Sequence, residues 1–163
     1  MGQEFTHLNE DGSAKMVDVS AKAETVRVAT AKGKIRMKPE TLRAVEQQAI
    51  KKGDVLGVAR VAGIMAAKNT SSIIPLCHPL MLDGCDVEFN IVEQQCEIEA
   101  SCTVRTSGKT GVEMEALCGV SAALLTIYDM CKALDRGMEI HSVCLHYKDG
   151  GKSGTYLREK EEA

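Results

Sequence analysis

The chain has 163 residues, 44% of them apolar, which is enough to bury one sizeable core and gives no sign of a second folding unit. Its 20 Lys and Arg against 23 Asp and Glu leave a net charge of −3, which argues against a general attraction to nucleic acid or to an anionic membrane. The seven Cys are odd in number, lack a C-x-x-C pair and mostly fall inside apolar patterns, so they read as reduced thiols of a cytoplasmic protein with no signal segment and no membrane span.

Residues 1 to 23 are polar apart from the pair Met16-Val17, and they read as an arm that orders only against another surface, with 1–15 a flexible tail. Glu24 to Met37 favours a strand marked by Val26, Val28 and Ile35. Pro39 suits the first turn of a helix in which Leu42, Val45, Ala49 and Ile50 recur until Gly53 breaks it. A second helix runs from Asp54 to about Lys68 and is apolar around nearly its whole circumference. Pro75 and Pro79 force extended backbone at Ile74 and His78, which predicts a loop from Ile74 to Leu80. Cys85, Val87, Phe89 and Ile91 alternate with polar residues, as do Cys96, Ile98, Ala100, Cys102 and Val104 after Glu93-Gln94-Gln95, which predicts a hairpin. Thr110-Gly111-Val112-Glu113 fits a capping box for a long helix that stops at Gly137. A last strand would place Val143, Leu145 and Tyr147 on one face, and 155–163 reads as a second flexible tail.

Strand, helix pair, hairpin, helix, strand is the order of a single-domain α+β ferredoxin-like sandwich, an antiparallel sheet with helices on one face. Between Ala116 and Tyr128 the long helix carries no charge, although a helix lying on a sheet should turn a polar face to water. Subunit association through the two apolar helices would cover it; the N-terminal arm lying across them is the alternative.

Several groups could carry chemistry. Gly108-Lys109-Thr110-Gly111 and Gly151-Lys152-Ser153-Gly154 resemble the end of a phosphate-binding loop, but the first Gly of that pattern falls at Thr103 or His146, and two glycine turns explain them as well. Asp129 sits near the negative end of the long helix, where a carboxylate needs a cation, and Lys132 supplies one at i+3. That pair is either an exposed ion pair or, in a closed pocket, a couple suited to proton transfer. Glu115 shares the helix with Asp129 but lies about 21 Å away along its axis, so one small ligand touches both only if different subunits combine. Cys77-His78 lacks chelate spacing and a second Cys/His pair, so no metal site is expected. Lys51, Lys52, Lys68, Lys109, Lys132 and Lys152 are candidates for phosphate, or simply a solvated surface.

Met16 to Glu24, Lys52-Gly53-Asp54-Val55, Ile74-Pro75-Leu76-Cys77-His78-Pro79-Leu80, Gly108 to Leu117 and Leu125 to Lys132 together resemble the molybdenum-cofactor biosynthesis protein C family, the cyclic pyranopterin monophosphate synthases, from about Thr6 to Gly154. The resemblance implies a lyase acting on 3′,8-cyclo-7,8-dihydro-GTP, a product of an upstream radical cyclase, and releasing pyrophosphate as a cyclic phosphate closes. It implies Asp129 and Lys132 as the acid–base pair with Lys52 assisting, and Leu76, Cys77, His78, Met114 and Glu115 as substrate contacts. It also implies a homohexamer built as a trimer of dimers with the pocket between subunits, and no required cofactor beyond a Mg²⁺ carried in with the triphosphate. A non-catalytic nucleotide-binding module remains the rival reading, because a fold of this kind does not fix activity. RNA binding is disfavoured by two Phe, three Tyr and no RNP-like aromatic run.

Overall fold

Strand β1 (Thr25–Arg36) alternates a polar face carrying Thr30, Lys32 and Lys34 with a face of Ala29, Ala31, Gly33 and Ile35 that turns to the core. Those side chains are small because a helix lies close above them: a Cβ on Gly33 would stand 2.7 Å from Leu124 Cδ1. The computed structural model in which this is seen describes residues 11–159. The outer parts of both expected tails lie outside the described residues.

Helix α1 (Pro39–Glu46), α2 (Val55–Lys68) and the short α3 (Thr70–Ile73) precede the hairpin of β2 (Gly84–Val92) and β3 (Glu97–Gly108). Helix α4 (Glu113–Cys131), β4 (Glu139–Asp149) and β5 (Tyr156–Leu157) follow. The strands form one open sheet in the order β2-β3-β1-β4-β5, every neighbouring pair antiparallel. This is the split βαβ arrangement of the ferredoxin-like α+β sandwich, a single domain with β5 added at one edge. The core lies between the sheet and the pair α2 and α4, with Ile35, Ile98, Val104, Val120, Leu124 and Ile127 buried in it.

The two helices approach through glycine. A Cβ on Gly63 would lie 3.0 Å from the Gly119 carbonyl oxygen, and one on Gly119 would lie 2.5 Å from Cys102 Sγ. Backbone therefore packs on backbone and on the sheet where any side chain would hold the elements apart. Helix α4 is long and apolar enough to cross a membrane, but half of it is buried against the sheet and α2, as befits a core helix.

Four expectations are corrected. Helix α1 stops at Glu46 because Gln48 adopts φ +53°; Ala49 and Ile50 belong to the turn that follows, with Ile50 still buried. The capping box does not form: Val112 is the N-cap, without a side-chain bond, and Glu113 folds back over Gly111. Helix α4 ends at Cys131 rather than at Gly137, whose N–H instead donates to Asp135 Oδ1 at 2.9 Å. Tyr147 does not share a face with Leu145, because Thr30 pairs with Tyr147 while the next residue, Ala31, pairs with Leu145; a bulge at His146 and a second irregularity beside Ser142, φ +54°, break the period of two. The strand β5 also lies within the stretch expected to be a tail.

On the polar face Glu97 is 2% exposed and holds two cations, Arg36 Nη2 at 2.7 Å and Lys34 Nζ at 3.4 Å, and accepts a hydrogen bond from His141 Nε2 at 3.1 Å. Burial pushes its carboxyl up, but the Arg36 hydrogen bonds and the Lys34 and His141 charges outweigh this and hold it below the ordinary carboxylate value. A depressed folded pKa stabilises the fold above the unfolded value, and that contribution is lost as pH falls through the folded value. The variant E97Q should lose about 1–2 kcal/mol at pH 7 in urea denaturation, because Arg36 and Lys34 are partly solvated, and should show a flatter decline of stability below about pH 4 than the parent. In the same assay G119A should lose about 1–3 kcal/mol through overpacking against Cys102.

Candidate active site

The turn before α2 presents Lys52. Gly53 adopts φ +101°, a conformation that suits only glycine, and Asp54 caps the helix by accepting the Gly57 N–H at 2.9 Å. Lys52 Nζ is thereby aimed at the last turn of α4, where it donates to Asp129 Oδ2 at 2.9 Å and to the Asp129 carbonyl at 2.8 Å. Lys132, the C-cap of the same helix, donates to Asp129 Oδ1 at 2.6 Å. One carboxylate is thus clamped between two ammonium groups at the negative end of a helix. The Lys132 hydrogen bond, then that of Lys52, holds the Asp129 carboxyl down at about 2, and Asp129 in turn raises Lys132. All three side chains are about half exposed on this protomer.

At the other end of α4 the extended Ile74–Leu80 segment closes a cleft of about 300 Å³ against the head of the helix. Leu76, Cys77, His78, Met114 and Glu115 all line it. His78 Nε2 donates to the Val17 carbonyl at 2.8 Å, which places the ring proton on Nε2 and pins the N-terminal arm to the cleft. Lys109 Nζ donates to the Ser20 carbonyl at 2.8 Å and pins it again. Glu115 is 4% exposed, and its burial, with Glu113 nearby, pushes its carboxyl up. Burial does the same to the Cys77 thiol, with Glu115 and Cys118 adding to it.

The structure therefore gathers the expected residues into two groups, Lys52, Asp129 and Lys132 at one end of α4 and the remaining five at the other. The six candidate phosphate lysines do not converge: Lys52 and Lys132 meet at Asp129, Lys109 stands beside the cleft, and Lys68 lines a different groove. Neither proposed phosphate loop takes that shape. Gly108 and Gly111 avoid positive φ, whereas Gly150, Gly151 and Gly154, all at positive φ, form the β4–β5 turn. Among the described residues no three His, Cys, Asp or Glu side chains gather as a metal-binding group.

Three cleft residues, Val17, Val19 and Lys22, escaped the reading of individual residues because the arm carries no periodic signal. The segment Met16 to Glu24 was itself one of the family-like motifs, and Lys22 is the one cation within it. Among the described residues the arm, from 11 to 23, does not cover the helices: Val58, Val61, Met65 and Leu125 remain between 47% and 60% exposed.

Comparison with known proteins shows the family. The model of the MoaC family matches residues 16–151. A cyclic pyranopterin monophosphate synthase of Thermoanaerobacter pseudethanolicus is 61% identical over 95% of this chain and 98% of its own length. Proteins of the same name from Desulfitobacterium hafniense and Clostridium botulinum are 59% and 55% identical, over 96% and 98% of this chain and 95% and 100% of their own lengths. With the match running from the arm that lies on His78 to the turn after β4, the chain belongs to the MoaC family.

Proposed function

We propose that the chain is a cyclic pyranopterin monophosphate synthase of molybdenum-cofactor synthesis, a lyase that rearranges 3′,8-cyclo-7,8-dihydro-GTP and releases pyrophosphate. The observation that carries this reading is Asp129 held at bonding distance by both Lys52 and Lys132. Opening and reclosing the purine-derived ring needs protons taken and given at neighbouring atoms, for which a carboxylate beside an ammonium supplies base and acid together. Closing the cyclic phosphate displaces pyrophosphate from the α-phosphorus, and fixed ammonium groups stabilise the charge that grows on the leaving group.

A carboxylate with a pKa of about 2 is a weak base. When the triphosphate enters, it competes with Asp129 for both lysines; as their hold loosens, the carboxylate gains basicity in the presence of substrate. Leu76, Cys77, His78, Met114 and Glu115 would hold the base-derived rings, and Lys22 would close over them. No redox cofactor is needed for these steps. Mg²⁺ would enter as the counter-ion of the triphosphate, held by its phosphate oxygens.

The two groups must come from different protomers, since a helix of this length separates them by about 21 Å. The proposed assembly is a homohexamer of three dimers in which α2 and α4 of two protomers pack antiparallel, covering Val58, Val61, Met65 and Leu125 and setting Asp129 of one beside His78 of the other. The compartment that suits this small-molecule biosynthesis is the cytoplasm.

D129A and K132A should remain folded oligomers and release no pyrophosphate from the cyclised nucleotide; near-normal turnover in both would refute the assignment, and binding without product would favour a nucleotide-binding module. D129A and H78A, each inactive alone, should on mixing and refolding recover up to about a quarter of parental activity, because a mixed two-fold dimer keeps one intact site in two. No recovery despite mixed dimers by native mass spectrometry would place each whole site within a single protomer.

A further inference from the structure

Two thiols take no part in this chemistry. Cys85 pairs in register with Val104 and Cys102 with Val87, so the two are diagonal neighbours on the helix-facing side of the hairpin. Their Sγ atoms lie 3.9 Å apart. Cys102 is wholly buried beneath Gly119, whereas Cys85 opens on a groove of about 400 Å³ that Lys68 and the exposed Met81 also line. A small solute can enter from that groove and meets Cys85 first.

We propose that Cys85 and Cys102 form an oxidant-responsive dithiol that a hydroperoxide converts into a disulfide. The Cys85 thiolate attacks the peroxide oxygen, giving a sulfenic acid and hydroxide. The hydroxide takes the Cys102 proton, and the Cys102 sulfur then displaces a second hydroxide from Cys85, which leaves as water. Overall two thiols and one hydrogen peroxide give one disulfide and two waters. The order of attack follows from the environment. Cys85 faces the groove and meets the oxidant first, and its contact with the other sulfur favours its thiolate, whereas that contact and burial keep the wholly buried Cys102 protonated until base is released. Burial pushes the Cys77 and Cys131 thiols up instead, which makes them poorer nucleophiles.

A disulfide between diagonal positions obliges the two strands to shift, so the bond is strained and a dithiol reduces it readily. It also draws the Cys102 sulfur away from Gly119, where α4 rests on the sheet. The link reaches both ends of the proposed site through one rigid helix.

The test uses the full reduced chain, treated while folded with equimolar hydrogen peroxide, then alkylated in guanidinium so that the buried thiols are reached, and mapped by mass spectrometry without reductant. The expected result is a linked peptide pair containing Cys85 and Cys102, the loss of two alkylatable thiols, and their return with dithiothreitol. In C85S, folded by circular dichroism, Cys102 should stay alkylatable; should C85S fail to fold, the map of the parent chain decides alone. A disulfide between other cysteines, oxygen added to Cys85 with Cys102 still alkylatable, or both thiols unchanged would overturn the proposal.

Discussion

The close seat of α4 on the sheet determines everything else in this molecule. Gly33, Ala29 and Ala31 below, and Gly63 beside it, remove the side chains that would hold this helix away. Packing at that density leaves little slack, so the helix behaves as a rigid beam rather than a surface element. Each end of the beam then carries functional groups: Glu115 and Met114 at its head, Asp129 and Lys132 at its foot. The apolarity that lets it sink into the core also leaves Leu125 facing outward, where only another apolar surface answers it.

The two ends differ electrically in a way that suits separate tasks. At the foot, two ammonium groups outnumber one carboxylate in a solvated setting, which attracts an anion. At the head, burial makes Glu115 and Cys77 reluctant to ionise, and His78 is fixed in one tautomer by a backbone carbonyl. A shaped cleft stands at one end of the helix and an exposed cluster with an excess of cations at the other. Under the proposed function the two halves serve one ligand only if different protomers supply them, because about 21 Å of helix separates them.

Much of the fold was legible because it rests on periodicity. The hairpin announced itself by a period of two, α2 by apolar residues on nearly all sides, and α4 by its uncharged stretch from Ala116 to Tyr128. Strand β1 gave a weaker signal because Ala29, Ala31 and Gly33 are chosen for smallness and have little preference for strand. The face of Tyr147 was illegible because a bulge is a backbone event with no residue signature at His146. The Asp129–Lys132 pair could be read from a spacing of i+3, whereas the contact of Lys52 with Asp129, 77 residues away in sequence, exists only once α2 and α4 are packed. Lys22 was missed for a related reason: its place depends on His78 and Lys109 tethering backbone carbonyls, a contact no side-chain pattern encodes.

The length of α4 works as a gauge. Inserting one residue between Tyr128 and Asp129 would swing the carboxylate about 100° around the axis and lengthen the beam by about 1.5 Å, while the buried Val120, Leu124 and Ile127 kept their places. The core before the insertion would hold while the Asp129 carboxylate turned away from Lys52. Evolution is thus free to exchange many outward side chains along this helix but has almost no freedom to add or remove a residue from it.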